Sequence, residues 1–119
     1  MNQTVRFQEI LRGLAIIDEG VVGDQAGLRL GLGTSRLLDP KTASLARVGA
    51  LAAIGSPGVC LEWSTTAALA AGATDDEITG VLLAIAPVAG LGRVTAAVPH
   101  VAAALGYDVD AALLDPDDL

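Results

Sequence analysis

Aromatic residues are nearly absent: Phe7, Trp63 and Tyr107 are the only three in 119 residues. A core must therefore be built from Ala, Gly, Leu and Val. Ala and Leu are strong helix formers, and Ala and Gly let helix backbones approach closely, so helix-on-helix packing is the natural architecture. Basic residues are also scarce, with 7 against 14 acidic ones and a net charge of −7. A phosphate backbone repels such a surface, which argues against nucleic acid as a partner. No Lys/Arg cluster offers a patch for an anionic membrane. The single cysteine, Cys60, cannot close an internal disulfide, and a reducing cytoplasm suits it best. Long apolar runs are missing too. The stretch from Ile78 to Gly92 lies between Glu77 and Arg93 and contains Gly80, Pro87 and Gly90. It is shorter than the roughly 18–20 residues that span a bilayer. Arg6, Glu9 and Arg12 interrupt the first turns, so no signal peptide is expected.

What is abundant is apolar: 52% of the residues are hydrophobic and only 18% charged. That much apolar surface on a small body points to subunit contacts. The chain is expected to be one domain over residues 1–119, because no linker-like shift in composition divides it. A first helix is expected over about Thr4 to Ile17, where Phe7, Ile10, Leu11, Leu14 and Ile17 recur at helical spacing. The glycine-rich stretch that follows, which includes GLRLGLGTSR, has neither a GK[ST] ending nor a preceding strand. It reads as a connector with a short helical turn, not as a phosphate loop.

Three helix starts are better signalled. Asp39-Pro40 supplies an N-cap and a first-position proline for a helix to about Ile54, closed by Gly55. Ser56-Pro57 repeats the signal for a helix to about Ala71, closed by Gly72. Thr74-Asp75-Asp76-Glu77 is a capping box with acids at the positive end of the helix dipole. Pro87 is expected to bend or end that helix. A further helix should run from about Leu91 to Leu105, kinked at Pro99 and stopped by Gly106, with an acidic, fraying tail from Asp108 to Leu119. The fold class is all-α: a compact bundle of about five to six helices.

The central block reads LDPKTASLARVGALAAIGSPGVCLEWSTTAALAAGATDDEITGVLLAIAPVAGLGRVTAA. From Leu38 to Ala97 it resembles the core of the carboxymuconolactone decarboxylase and alkylhydroperoxidase D superfamily. The resemblance rests on a Leu-Asp-Pro-Lys-Thr opening, an Ala-rich helix, a cysteine-bearing helix ending in Ala-Ala-Leu…Gly-Ala-Thr, an acidic capping box and an Ala-Gly turn followed by a basic residue. It implies an oligomeric helical bundle, as trimers or hexamers. The thiol-peroxidase branch carries Cys-x-x-Cys-x-x-x-His with a glutamate upstream. Laid on this chain, the first cysteine falls on Pro57, the second on Cys60, the histidine on Ser64 and the glutamate near Leu45. Only Cys60 remains. A peroxidatic thiol needs a base to supply thiolate, and its sulfenic acid is usually resolved by a second thiol. Both are missing here, so this is a divergent member without the two-cysteine peroxidase set. The histidine of the lactone-decarboxylase branch also falls on Ser64.

The candidate site residues follow from chemistry. Cys60 and Ser64 are four apart and share a helix face, with Trp63 beside them. The resemblance puts the family's pocket on that side, which makes Cys60, Trp63 and Ser64 candidate lining residues. Cys60 otherwise reads as a small buried hydrophobe, Ser64 as a hydroxyl bonded to a preceding carbonyl and Trp63 as a packing anchor at the core or at a subunit contact. Glu62 lies about 200° round from Cys60 at ~100° per residue. Arg47 and Glu62 are isolated charges at equal heights on either side of Gly55-Ser56. They read either as an ion pair facing across a hairpin, or as a site in which Arg47 binds a substrate carboxylate and Glu62 transfers a proton. His100, the only histidine, is a candidate general acid or base or a contact residue. With no Asp, Glu or Cys at i±3 or i±4, a zinc site within its helix is rejected, and no metal or cofactor is expected. Arg93 is a candidate carboxylate anchor or a cation favouring a nearby helix end.

Three functions compete. The first is a cofactor-free enzyme acting on a small carboxylated or lactone-like molecule, as a decarboxylase-like lyase or isomerase. Arg47 or Arg93 would orient a carboxylate, and His100 or Glu62 would supply the proton. The second is a non-catalytic helical oligomer that binds a small apolar ligand or a protein partner. The third, a one-cysteine peroxidase, is disfavoured by the missing base.

Overall fold

The computed structural model describes residues 3–16 and 37–114. They contain six helices and no strand: α1 Gln3–Ala15, α2 Pro40–Ile54, α3 Gly58–Ala70, α4 Asp75–Ala89, α5 Leu91–Ala104 and α6 Val109–Leu114. The all-α expectation therefore holds. The glycine-rich connector, Ile17 and residues 115–119 lie outside the described residues. The chain divides into two compact units, Met1–Ala43 and Ser44–Leu119, with the boundary inside α2. In the first unit, α1 keeps Ile10 half-buried and Gly13 buried, while Phe7, Leu11 and Leu14 are exposed.

The local signals act where the sequence put them. At the start of α2, the Asp39 carbonyl accepts from Ala43 N at 3.0 Å. A hydrogen bond from the Thr42 side chain, foremost, holds the Asp39 carboxyl below its usual pKa. A depressed carboxylate contributes stability above its unfolded pKa and loses it as pH falls through the folded one. At α4 the capping box is complete. Thr74 Oγ1 accepts from Glu77 N at 3.0 Å, and Glu77 Oε1 accepts from Thr74 N at 2.9 Å.

Helix α2 ends in a Schellman motif, with Ser56 N donating to Leu51 O at 3.0 Å and Gly55 N to Ala52 O at 3.2 Å. The motif needs a left-handed residue, which Gly55 supplies at φ 72°. The same pair of bonds closes α3 at Gly72 and α5 at Gly106.

Some expectations are corrected. Ser56 does not cap α3. Pro57 is its N-cap and no side chain bonds there, so the helix opens one residue later, with Gly58 first. Of the two outcomes expected at Pro87, bending or ending α4, the second does not occur: the helix runs on to Ala89, since a proline removes a single i→i−4 bond and leaves its neighbours' bonds in place. The acidic tail is helical over Val109–Leu114, since Asp108 Oδ1 accepts from Ala111 N at 3.0 Å and starts α6.

In the second unit α3 packs most extensively on α5, and α4 and α6 also lie against α5. The core joins Val48 and Ala52 of α2, Leu61 and Ala68 of α3, Ala73 just before the α4 cap, Ile78 and Leu82 of α4, and Ala97 and Val101 of α5. A β-carbon on Gly49 would stand 3.0 Å from Val81 Cγ1 and 3.4 Å from Ile85 Cγ2, so α2 runs close on α4 there. Gly80 is different, since a β-carbon there would meet nothing within 4 Å. Gly80→Ala should therefore stabilise the protein by about 0.5–1 kcal/mol through helix propensity alone. Urea denaturation at fixed protein concentration checks this, and a loss of stability would mean that the face is covered.

Candidate functional site

Helix α3 has three sides. Leu61, Ser64, Thr65 and Ala68 turn to the core. Val59, Cys60, Trp63 and Ala67 are exposed. Gly58 and Glu62, four apart on one face, turn to α5, where both meet His100. Glu62 Oε1 lies 3.9 Å from His100 Nδ1, with the side chains 46% and 45% exposed. That distance is within ion-pair reach but beyond a hydrogen bond.

The imidazole lies directly over Gly58. A β-carbon there would overlap its Cε1 and Nδ1 and stand 2.7 Å from Nε2. Seven residues earlier on α5, Arg93 reaches the same turn. Its Nη1 donates to Ile54 O at 3.2 Å, and a β-carbon on Gly55 would collide with that guanidinium. A separation of seven residues puts Arg93 and His100 on one side of α5, about 10 Å apart along its axis. The α2–α3 turn is thus a backbone platform carrying an arginine and a histidine from α5, with Glu62 beside the histidine.

Arg93 occupies the positive end of its own helix, where a cation is unfavourable. It reaches the negative end of α2 instead. Arg93→Ala should cost about 1 kcal/mol of stability, with Arg93→Lys recovering part of it in the same denaturation experiment. Equal stability of all three proteins would show that the contact contributes nothing.

The remaining candidates lie on other faces of α2 and α3. Arg47 is exposed and forms no ion pair with Glu62; the hairpin pairing is not made. Its neighbours Val48, Gly49 and Ala52 take the inward side of α2, which leaves Arg47 facing out while Glu62 faces α5. Ser64 is buried and its hydroxyl donates to Leu61 O at 3.1 Å. Thr65, fully buried, donates to the same carbonyl at 2.7 Å. Cys60 is exposed rather than buried, because Leu61 and Ser64 take the inward positions of that turn. Trp63, 62% exposed, is not a core anchor.

Sequence reasoning named Glu62 and His100 but not their proximity, and it missed Gly58. The available signal was a glycine at the first position of a helix, where no turn requires one. No group of three or more His, Cys, Asp or Glu side chains that would hold a metal occurs among the described residues. None of the described helices is long and apolar enough to cross a membrane. A cavity of about 420 Å³ lies elsewhere, lined by Pro99, Ala103, Tyr107 and Asp108 among others. It contains none of the expected site residues, and Asp108 there is engaged in starting α6.

Compared with known proteins, residues 25–109 match the profile of the carboxymuconolactone decarboxylase family. No curated protein and no solved structure gives a significant match.

Proposed function

The chain belongs to the carboxymuconolactone decarboxylase family, and we propose that it is a cofactor-free acid–base catalyst acting on a small carboxylated or lactone-like molecule. The observation that carries this reading is the His100–Glu62 pair, 3.9 Å apart and open to solvent, with Arg93 on the same side of α5. In a decarboxylation, the bond from carbon to carboxylate breaks and its electron pair passes into a conjugated carbonyl of the substrate. Carbon dioxide leaves. The imidazolium of His100 then delivers a proton to the carbon, and the ring recovers a proton from water. Glu62 stabilises the charge that the ring carries. Four of the five guanidinium N–H donors of Arg93 remain once one is committed to Ile54 O, enough to orient a carboxylate. An isomerisation would use the same parts, with the proton removed and returned.

Such chemistry needs an apolar wall that strips water from the carboxylate. The exposed Val59 and Trp63, 69% and 62% accessible, flank Glu62 on α3. They support assembly into a homo-oligomer in which a neighbouring subunit closes that wall, with trimers or hexamers suggested by the family resemblance. The same apolar surface favours the second reading, a non-catalytic oligomer that binds an apolar ligand or a protein partner.

The test is a screen of the purified protein against lactones, unsaturated carboxylic acids and peroxides, following carbon dioxide release, ultraviolet absorbance and peroxide loss. Sedimentation is run beside it. Turnover of a carboxylated substrate, lost in His100→Gln, supports the catalyst. Turnover of none, in a protein that sediments as an oligomer, favours the binding reading. Peroxide consumption abolished by Cys60→Ala would overturn both.

A further inference from the structure

Glycine at the first position of α3 has no backbone reason to be there. Among the described residues the positive-φ glycines are Gly55, Gly72, Gly90 and Gly106, and Gly58 is not one of them. Alanine is the better helix former by about 1 kcal/mol in a helix interior. What the position lacks is room, because the imidazole of His100 occupies the space a β-carbon would fill. The contrast is with Gly80 and Gly92, which also lack positive φ and around which a β-carbon would meet nothing within 4 Å.

We infer that Gly58 is a positioning residue: its missing side chain is the seat that holds the His100 ring beside Glu62. The α5 backbone alone does not fix the ring, since a histidine side chain has two free torsions and this one is 45% exposed. Two contacts define its place, the Gly58 Cα beneath it and the Glu62 carboxylate at its Nδ1 edge. Both come from one face of α3, one turn apart. Filling the seat pushes the ring out toward solvent and away from Glu62, while the helices stay where they are. The displaced group is the far end of a side chain that can rotate, so the fold tolerates the change and the pair does not. The catalytic consequence of the seat rests on the acid–base reading above; the seat itself does not.

Because His100 is the only histidine, its imidazole gives one set of NMR signals and one site for carbethoxylation by diethyl pyrocarbonate. In the wild type, the ring Cε1 proton should show Overhauser contacts to the Gly58 α protons and the Glu62 γ protons. In Gly58→Ala the Glu62 contact should be lost, and the carbethoxylation rate should rise toward that of free imidazole. Gly80→Ala, the same substitution in open space, should change neither. A Glu62–His100 contact that survives in Gly58→Ala overturns the inference. If Gly58→Ala does not fold, Gly58→Ala/His100→Ala decides. Recovery of the fold shows that the ring was the obstacle, and failure shows that the glycine serves the backbone instead. Loss of the contact with unchanged kcat on a substrate from the screen would leave the seat standing and remove the acid–base role of His100.

Discussion

Ile78→Ala should lower the free energy of unfolding by about 2–5 kcal/mol, the range for emptying a fully buried isoleucine site. Ile78 is completely buried, and its position makes the cost larger than its area alone suggests. It follows the capping box directly, so its amide donates to Thr74 O at 3.0 Å. Ala73, on the other side of the cap, is buried in the same cluster. The two stand in the relation of a hydrophobic staple, in which side chains flanking an N-cap fix the angle at which a chain enters its helix. The surrounding side chains come from all four helices α2 to α5, so closing the gap would require several elements to move together. Against total stabilities of about 5–15 kcal/mol, such a loss puts the variant near its unfolding threshold. Leu83→Ala, on the exposed side of the same helix at 71% accessibility, should change stability by no more than about 0.5 kcal/mol in the single chain. Urea midpoints at one protomer concentration compare the two. Equal losses would mean that α4 does not dock by its Ile78 side.

The helix starts and stops were legible because their chemistry is local. A capping box joins residues three apart, and a Schellman motif is closed by a glycine whose partners lie within the same few residues. Asp39-Pro40, Thr74 to Glu77, Gly55, Gly72 and Gly106 could be read without knowing any neighbour. The site was not legible in that way. Equal distance from the Gly55-Ser56 turn gave Arg47 and Glu62 the same height but said nothing of the direction around each helix. That direction is set by which helix lies alongside, and α3 packs chiefly on α5, distant in sequence. Searching the same helix for a partner to His100 found none for the same reason, because the carboxylate belongs to another helix. The inward positions of α3 were misjudged at Cys60 by a similar margin: Ser64 is buried and Cys60, one turn earlier, is exposed. The resemblance fared as its residues allowed. The ordered helix starts identified the family, whereas Pro57 and Ser64, standing where its reactive residues would be, left the chemistry to be sought elsewhere on the bundle.

On a substrate that the wild type turns over, His100→Gln should lower kcat by about 10²–10⁴-fold, the usual contribution of a positioned general acid or base. The substitution keeps a polar side chain while removing the only imidazole, so a large effect reports proton transfer rather than a lost fold. Glu62→Gln should cost much less. Its carboxylate stands 3.9 Å from the ring and is nearly half exposed, so it acts by charge through a partly aqueous gap. Exposed pairs of this kind are worth up to about 1 kcal/mol, roughly fivefold in rate. If His100 transfers the proton and Glu62 supports it, the double variant should be no slower than His100→Gln alone, since groups that act as a unit are not additive. The reverse order of effects, a large loss in Glu62→Gln and a small one in His100→Gln, would make the carboxylate the proton carrier. Arg93→Ala separates binding from chemistry, because removing a carboxylate anchor raises KM more than it lowers kcat. Full activity in His100→Gln, with the protein folded and its assembly unchanged, would end the assignment of this pair as the reacting centre.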